Sequence, residues 1–254
     1  MDQRQNLKTP RRCFEMLEIL AERKVATFSQ LAEELPYPRS TVHGYLQTMK
    51  DIGYVVDDDG TLRLSTRFLD FGRRSREGIP VYDVVKRRAD ELAERTGEHA
   101  TFLVHENDCC IVAYVATGDG AVDFGLNPGL ELPIATTAPG KAILSQHSRE
   151  RVEEILETAS YQISERERVA LFDELEQIEA QGYAIDQEEQ LNGLRGIAVP
   201  IVCHGTVYGV LAVGGPAVRF SDSEFERELP KVVREEAKKV EIEAVYSRSG
   251  PAAQ

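Results

Sequence analysis

The residues with the clearest capacity for recognition chemistry lie between positions 39 and 48, where hydroxyl, amide, imidazole and guanidinium groups are concentrated. No carboxylate follows in this stretch before Asp51. Such side chains hydrogen-bond to phosphate oxygens and base edges, whereas phosphates repel a carboxylate. The stretch therefore favours a surface that meets nucleic acid, although an ordinary solvent-exposed helix can have the same composition. The candidate DNA-binding residues here are Arg39, Ser40, Thr41, His43, Tyr45, Gln47 and Thr48.

Reactive side chains also occur in the C-terminal two thirds of the chain, but no nucleophile and base stand in an evident pair. Ala135 and Ala142 occupy two positions that a phosphate-binding loop around Lys141 would need as glycine and serine or threonine. The four cysteines form no CxxC pair. We therefore predict no catalytic residue, no metal site and no cofactor, with an enzyme kept as an alternative. Its candidate residues would be His99, His105, Cys109, Cys110, Lys141, Asp186, Glu188 and Glu189.

Hydrophobic periodicity predicts the helix that presents the polar stretch. Val42, Leu46 and Met49 recur at i, i+4 and i+7, so one stripe faces a core and the polar side chains face outward. Pro36 and Pro38 exclude a continuous helix on the N-terminal side. The helix is therefore predicted to start at about position 39 and to end near 51.

Two further helices are predicted before this one. The first covers about 12–22, and a shorter one covers 28–35 with Thr27 or Ser29 as its N-cap. A short helix, a tight break and a helix with an open polar face form a helix-turn-helix. Ser29 joins the candidate DNA-binding residues.

A hairpin is predicted after the polar helix, which Gly53 ends. Two β-favouring runs, 54–56 and 61–65, flank an Asp/Gly turn. Together these elements form a winged helix-turn-helix, which we place at 8–66. The acidic turn does not suit contact with phosphates, so we expect the hairpin to pack structurally or to reach DNA only through Arg63.

The remaining sequence predicts a linker helix at 67–78 and a second domain at 79–247. Its β-favouring runs alternate with amphipathic helices, which indicates a mixed α+β domain around one antiparallel sheet, similar in outline to GAF domains. The predicted strands are 99–105, 109–116, 121–125, 131–135, 182–186, 197–203 and 207–214, and the predicted helices are 81–95, 141–146, 150–158, 165–181 and 222–246.

Charge is distributed unevenly along a chain whose net charge is −13. Residues 1–76 hold 13 Lys+Arg against 11 Asp+Glu, and residues 77–254 hold 17 against 32, so the acidity does not exclude DNA binding by the N-terminal part. Arginine supplies 22 of the 30 basic residues, and acid excess with scarce lysine predicts adaptation to high salt, as in a halophilic organism. No apolar run reaches the roughly 18–20 residues that span a bilayer, and no secretory signal is visible. We expect a cytoplasmic protein without a membrane partner.

Several segments resemble the IclR family of transcriptional regulators, over about residues 8–246. The resemblance implies a sequence-specific regulator that binds double-stranded DNA at a pseudo-palindromic operator as a homodimer or a dimer of dimers. It also implies a small-molecule effector in the C-terminal domain, with carboxylates and sugar acids as the expected classes. The segments are SQLAEEL (29–35), PRSTVH (38–43), GYV (53–55), LRL (62–64), TAPGKA (137–142), GYAIDQEE (182–189) and GLRGIAVP (193–200).

The last three segments carry the implied effector site. Residues 138–141 would offer backbone N–H groups at a helix N-terminus, which suits an anion, and Asp186 could accept a hydrogen bond from a ligand hydroxyl. The glycines of this region could instead serve only turns and bulges. The candidate effector-binding residues are Ala138, Gly140, Lys141, Asp186, Glu188, Leu194, Gly196, Ala212 and Gly214.

Four positions depart from the family pattern. Gly44 stands where the family usually carries an arginine that meets DNA, and a glycine inside a helix costs roughly 1 kcal/mol relative to alanine. Gly196 replaces a frequent cysteine, and Ala212 and Gly214 replace serines, so we expect a roomier and less polar pocket. Gly44 and the acidic turn also leave open a protein-interaction adaptor with a degenerate winged helix.

Overall fold

Residues 7–107, 109–158, 163–221 and 223–248 are described by a computed structural model. The chain divides into two units, one that ends at Gly78 and one that begins at Ile79. Each unit has its own hydrophobic core.

The N-terminal unit has the predicted order of three helices, a hairpin and a fourth helix. A short first strand, which was not predicted, pairs antiparallel with the third strand beside the hairpin. Two residues are too few to give a sequence pattern, so this strand depends on its partner. The elements are α1 (Lys8–Arg23), β1 (Ala26–Thr27), α2 (Phe28–Glu34), α3 (Arg39–Asp51), β2 (Val55–Asp58), β3 (Thr61–Leu64) and α4 (Phe68–Glu77).

Local hydrogen bonds fix the ends of α2 and α3. The Gln30 N–H donates to the Thr27 hydroxyl, and the Gln30 carboxamide oxygen accepts from the Thr27 N–H, which forms a capping box. Thr27, rather than Ser29, is therefore the N-cap. Gly53 adopts a φ of 79° after α3, in the left-handed region that favours glycine.

The predicted apolar stripe of α3 faces the core of this unit. Val42, Leu46 and Met49 are all buried and pack with Met16 and Leu20 of α1. Burial of each large aliphatic side chain contributes about 1.5–3 kcal/mol to stability. The core face thus fixes the orientation of α3 and leaves its other side chains at the surface.

The C-terminal unit is built on one six-stranded antiparallel sheet in the order β6-β5-β4-β9-β8-β7, which confirms the predicted α+β class. No helix in the described ranges is long and apolar enough to cross a membrane. The elements are α5 (Tyr82–Thr96), β4 (His99–Glu106), β5 (Cys109–Thr117), β6 (Glu131–Pro133), α6 (Ala138–Leu144), α7 (Arg149–Thr158), α8 (Glu165–Gln181), β7 (Ala184–Gln187), β8 (Leu194–Cys203), β9 (Thr206–Pro216) and α9 (Leu229–Arg248).

Helices cover both faces of this sheet. Because side chains alternate along a strand, Phe102 packs with α5 and α9, whereas its neighbour Leu103 packs with α6, α7 and α8. Buried residues on both faces explain the continuous apolar run of 197–203 in β8. The face that carries Leu103 is the one that also borders a cavity.

The predicted strand at 121–125 is wrong. The edge of β5 pairs with β6 instead, and the segment between them is a loop. The N–H groups of Gly118 and Gly120 donate to the carbonyls of Glu98 and Gly97, so the loop is fixed by turn-like hydrogen bonds rather than by a ladder.

Two helix boundaries also differ from the predictions. α6 begins three residues before the predicted start because the Thr137 hydroxyl accepts from the Gly140 N–H and caps it. α9 begins at Leu229, after a π-helical turn over Glu224–Glu228. The predicted starting residue, Asp222, lies outside the described residues.

Candidate nucleic-acid interface and ligand pocket

The outward face of α3 brings most of the predicted DNA-binding residues together. Because the stripe at Val42, Leu46 and Met49 fixes the opposite side of the helix, these residues share one continuous polar surface. The exposed members are Arg39, Ser40, His43, Gln47 and Thr48, and Ser29 of α2 is exposed beside them.

An aromatic ring of α2 positions two of these side chains. The Arg39 guanidinium lies over the Phe28 ring, 5.1 Å from its centroid, and donates a hydrogen bond to the Ser29 hydroxyl at 3.2 Å. The His43 ring meets Phe28 edge-on at 5.9 Å. A cation–π contact at a surface contributes about 0.5–1 kcal/mol, enough to favour one side-chain conformation. Sequence patterns did not identify Phe28 as a support for the DNA-binding residues, since an aromatic residue on a short amphipathic helix is usually assigned to the hydrophobic core.

Three other predicted residues are already engaged within the unit. Tyr45 is half-buried and its hydroxyl donates to the Thr9 hydroxyl at 3.4 Å, so its ring faces α1. Gln47 donates to Asp51 at 2.7 Å, and the Thr48 hydroxyl donates to the Gly44 carbonyl at 2.9 Å. Contact with a base edge would require Gln47 and Thr48 to exchange these partners. Thr41 is half-buried.

The hairpin turn neutralises much of its own acidity. Arg63 pairs with Asp58 at 2.9 Å, and Lys50 of α3 pairs with Asp57 at 2.8 Å. The hydrogen bond from Lys50, together with one from the Gly60 N–H, holds the pKa of Asp57 below its usual value. The turn is thus tied to α3, and Arg63, predicted as the hairpin's DNA contact, is occupied by a neighbouring carboxylate.

A cleft of about 590 Å³, including its open mouth, lies on the α6 side of the C-terminal sheet. Its walls are largely apolar, with Leu103, Val112 and Leu132 among them. Six of the nine predicted effector-binding residues line it, namely Ala138, Asp186, Leu194, Gly196, Ala212 and Gly214.

Gly140 does not line the cleft and has a packing role. A Cβ at this position would lie 2.0 Å from the Ile134 carbonyl oxygen, so only glycine permits the close approach of the two backbones. The Gly140 and Lys141 N–H groups donate to the hydroxyl and carbonyl of Thr137. The prediction that residues 138–141 offer free N–H groups to an anion is therefore wrong for Gly140 and Lys141, because both N–H groups already bond to Thr137.

Lys141 also lies outside the cleft lining. Its ammonium is buried and pairs with Glu174 at 2.6 Å and with Glu189 at 2.7 Å. Burial alone would lower the pKa of Lys141, but the hydrogen bonds that its ammonium donates to both carboxylates raise the pKa above its usual value. Glu188 accepts a hydrogen bond from the Gly193 N–H at 2.8 Å and stabilises its own loop. Both residues shape the loop after β7.

The cleft has polar lining residues that the sequence did not single out as ligand contacts. His99 and Thr101 are buried and alternate along β4, and Asp186 has Gln190 and Arg195 near it. Burial raises the pKa of Asp186. The sequence signal that could have identified His99 and Thr101 is the period-two spacing of residues 99, 101 and 103. This spacing places all three side chains on one face of the strand.

A loop over 118–130 covers the His99 end. The His99 Nε2 atom lies 2.9 Å from the Val122 carbonyl oxygen, and the Phe124 ring meets the imidazole edge-on at 5.0 Å. Phe124 and Leu126 of this loop line the cleft. The loop is thus part of the candidate site. The sequence did not indicate this, because residues 121–125 were predicted to form a strand.

The side chains considered for catalysis do not assemble into a reaction centre in the described part of the chain. Burial raises the pKa of Cys110 to about 12, so its thiol stays protonated at neutral pH. His105 lies 5.9 Å from His147, ring to ring, and is not among the residues that line the cleft. Among the residues of known placement, no three His, Cys, Asp or Glu form a metal-binding group.

Family profiles match most of the chain. The profile described as IclR helix-turn-helix domain matches residues 9–59, and that described as bacterial transcriptional regulator IclR C-terminal matches residues 75–242. The chain is 30% identical over 238 residues to the probable HTH-type transcriptional regulator ArcR of Halobacterium salinarum, with 90% of each chain covered. It is 28% identical to the HTH-type transcriptional regulator KdgR of Escherichia coli, over 92% of this chain and 91% of the relative.

Solved structures of similar proteins share the fold. The Thermotoga maritima IclR structure matches with a TM-score of 0.75 at 22% identity, over 94% of this chain and 99% of that one. An IclR homolog from Microbacterium hydrocarbonoxydans, complexed with 4-hydroxybenzoate, matches with a TM-score of 0.79 at 22% identity, over 94% and 100% of the two chains.

Proposed function

The chain belongs to the IclR family of transcriptional regulators, and from that premise we propose which residues bind DNA and which bind the effector. The protein is a DNA-binding regulator whose operator binding responds to a small molecule in its C-terminal domain. Its relatives are transcriptional regulators, which favours this role over the enzyme and adaptor alternatives.

Arg39 is the principal DNA-reading residue in this proposal. The observation that carries it is the exposed guanidinium at the start of α3, held in place by Phe28 and Ser29. An α-helix fits the major groove, where an arginine can donate two hydrogen bonds to one guanine. Its preorganised position lowers the entropy lost on binding.

The other polar residues have graded roles. Ser40, His43, Gln47 and Thr48 share the exposed face with Arg39 and supply further base and phosphate contacts, and Ser29 adds one from α2. Thr41 and Tyr45 contribute less because they are half-buried, and Arg63 contributes only if it releases Asp58. The residues assigned to DNA thus lie along the exposed face of α3, from Arg39 to Thr48, with Ser29 of α2 beside them.

A binding assay with the DNA upstream of the protein's own gene tests the assignment. Arg39→Ala should weaken operator binding by about 1–3 kcal/mol if it reads a guanine, with a smaller loss on random DNA. Arg149→Ala, which removes an exposed arginine of the C-terminal unit, serves as the control. An equal loss on both DNAs would reassign Arg39 to phosphate contact, and no loss on either would remove it from the interface.

The effector occupies the cleft beside Asp186, and a carboxylate or a sugar acid is its proposed class. Support comes from the largely apolar cavity with a few polar side chains, and from the 4-hydroxybenzoate in the Microbacterium homolog. A thermal-shift screen of sugars, sugar acids and small keto acids tests the class. Asp186→Ala should change the ligand response and leave operator binding by the unliganded protein unchanged.

The protein acts as a homodimer, or as a dimer of dimers, on a pseudo-palindromic operator. The N-terminal unit carries exposed apolar side chains that suit association, including Phe14 at 62% exposure, Leu69 at 72% and Phe71 at 57%. Two recognition helices spaced by one helical turn of DNA would then read two half-sites. The effector would shift the equilibrium between two arrangements of these helices through its different affinity for each. A monomeric mass in solution, with binding to single half-sites, would exclude this arrangement.

Adaptation to salt and a cytoplasmic location complete the proposal. The acidic C-terminal part and the Halobacterium salinarum relative support a salt-adapted protein. A regulator of transcription works where the chromosome lies, which supports the cytoplasm. Unfolding curves at about 0.1 M and 2 M KCl should show a higher midpoint in high salt, and equal midpoints would count against the adaptation.

A further inference from the structure

Four residues form a row across the floor of the cleft, one on each of four adjacent strands. His99 of β4 pairs in register with Gly214 of β9, Gly214 pairs with Gly196 of β8, and Gly196 pairs with Asp186 of β7. Adjacent strands lie about 4.8 Å apart, so the Cα atoms of His99 and Asp186 are separated by roughly 14 Å. The row therefore has an imidazole at one end and a carboxylate at the other, and the two positions between them, Gly214 and Gly196, have no side chain.

The two glycines leave the middle of the row open, and backbone conformation does not require them. Neither Gly196 nor Gly214 has a φ in the left-handed region that favours glycine. A methyl group at Gly214 would meet no atom closer than 3.5 Å, which is an ordinary contact. A methyl group at Gly196 would lie 3.2 Å from the Val213 carbonyl oxygen. Bare backbone thus forms a flat floor that admits an extended or planar ligand.

His99, at one end of the row, has a fixed tautomer, and one of its ring nitrogens has no hydrogen-bond partner among the described residues. Its Nε2 atom lies 2.9 Å from the Val122 carbonyl oxygen, and because a carbonyl only accepts, this nitrogen carries the hydrogen. The Nδ1 atom is buried and has no hydrogen-bond partner in the described part of the chain. The neutral ring offers Nδ1 as an acceptor, and the protonated ring offers it as a donor.

Asp186, at the other end, is an acceptor. One of its carboxylate oxygens accepts a hydrogen bond from the Glu189 N–H at 2.8 Å, and the side chain lines the cleft. A ligand hydroxyl or ammonium group here would stabilise the buried charge. A ligand carboxylate here would meet a like charge, so it belongs at the opposite end of the row.

We propose that the effector is a carboxylic acid with a hydrogen-bond donor at its far end, and that it lies along this row with its carboxylate at His99 and its donor at Asp186. The inference rests on the proposed carboxylate effector and adds its length and orientation. Because side chains stand roughly perpendicular to a sheet, the polar atoms of His99 and Asp186 keep about the same spacing as their Cα atoms. After a hydrogen bond of about 2.8 Å at each end, roughly 8 Å remains between the two terminal polar atoms of the ligand. His99 takes up a proton on binding, so that Nδ1 donates to the carboxylate next to the Thr101 hydroxyl.

The charged residues next to His99 include one pair in which the two charges compensate each other. Glu98 is paired with Arg219 at 2.9 Å, so these two charges offset each other. A carboxylate that arrives at Nδ1 adds the uncompensated charge that favours the imidazolium. The remaining charged groups on the wall and the covering loop are the carboxylates of Asp119, Asp123 and Asp186, which favour protonation, and the guanidinium of Arg195, which opposes it.

Calorimetric titration of the full-length protein at pH 7.5 tests the proposal with matched compounds. 4-Hydroxybenzoate, 6-hydroxyhexanoate, 6-aminohexanoate and gluconate carry both ends, benzoate and hexanoate carry only the carboxylate, and glycolate and pyruvate are short. At least one two-ended compound should bind at least tenfold tighter than its one-ended counterpart. Titrations in two buffers of different ionisation enthalpy should show proton uptake on binding.

Two variants separate positioning from structural damage. His99→Gln retains a donor for the Val122 carbonyl but cannot titrate, so proton uptake should disappear and affinity should fall at least tenfold. Asp186→Asn should remove the preference for two-ended compounds and leave the binding of one-ended acids unchanged. Equal affinity for one-ended acids, or proton uptake that persists in His99→Gln, would overturn the proposal. Tight binding of glycolate or pyruvate that is indifferent to His99→Gln would overturn only the length and orientation, whereas no binding by any compound would overturn the carboxylate effector itself.

Discussion

The Lys141 ammonium lies 2.7 Å from a carboxylate oxygen of Glu189 and is almost fully buried. A second carboxylate, that of Glu174, lies 2.6 Å away on α8. One buried cation therefore joins α6, α8 and the loop that follows β7. Since Asp186 and Gln190 lie on either side of Glu189 in the sequence and line the cleft, this ion cluster fixes one wall of the cleft.

Removal of the two carboxylates should destabilise the protein more than removal of the lysine charge. The double variant Glu174→Gln/Glu189→Gln leaves a buried ammonium without a counter-charge, which costs about 3–5 kcal/mol. Lys141→Met keeps the volume and removes the charge, and the partly exposed carboxylates of Glu174 and Glu189 can be hydrated once the lysine is gone. Its cost should therefore be below about 1.5 kcal/mol. Urea unfolding of the C-terminal unit measures both free energies. A greater loss in Lys141→Met than in the double variant would contradict this account.

Alanine should be tolerated at Gly214 but not at Gly140. The Gly140 Cβ would lie 2.0 Å from the Ile134 carbonyl oxygen, and backbone cannot yield as a flexible side chain can. We expect Gly140→Ala to lower the free energy of unfolding by about 3 kcal/mol. Gly214→Ala, with its nearest contact at 3.5 Å, is the control and should change stability by less than about 1 kcal/mol. Thermal unfolding of both variants provides the comparison.

Alanine at Gly44 should stabilise α3. A Cβ there would meet no atom within 4 Å, and the position is exposed in the interior of the helix. Gly44→Ala should raise the free energy of unfolding by about 0.5–1 kcal/mol because alanine loses less backbone entropy than glycine. Gly60 is the matched control, since its Cβ would also meet nothing but its φ is 86°. Gly60→Ala should therefore destabilise, and a gain at both sites would show that backbone conformation is not the cause.

Stability should fall as the pH drops below the ordinary pKa of histidine, in part because of His147. Burial, and then the charges of His105 and Arg151, lower the pKa of His147. The unfolded chain therefore binds its proton first as the pH falls from about 6.5, and the free energy of unfolding decreases by at most about 1.4 kcal/mol per pH unit. The stability conferred by the neutral ring is fully present above about pH 7.

Chemical unfolding between pH 7.5 and pH 5 measures this dependence. His147→Gln cannot titrate, so its stability should decline less over the same interval. A parallel decline in the two proteins would assign the pH dependence to other groups.

Sequence patterns predicted most elements of the DNA-binding unit because those elements are encoded locally. The stripe at Val42, Leu46 and Met49, the capping residue Thr27 and the left-handed Gly53 each act within a few positions of the chain. β1 was missed because it exists only through pairing with β3, some 35 residues away. The grouping of Arg39 with Phe28 likewise depends on how two helices meet.

The proposed effector site was harder to predict because its parts come from distant segments. Asp186, Gly196 and Gly214 were identified through a family resemblance, whereas His99 entered only as an isolated candidate for catalysis. Its relation to Asp186 requires the register of four strands, which no local pattern contains. Lys141 and Gly140 were misplaced for the opposite reason, since a short motif of small residues suggested a ligand where the fold needs packing.

The contact between Arg39 and Phe28 also limits how operator preference can be changed. The guanidinium that we assign to base recognition belongs to α3, but the ring and the hydroxyl that hold it belong to α2. Substitution of α3 alone would transfer the recognition side chains without their supports. For protein engineering, the smallest transferable unit of specificity in this chain is therefore the pair of helices from Phe28 to Asp51, and chimeric regulators should be joined outside that segment.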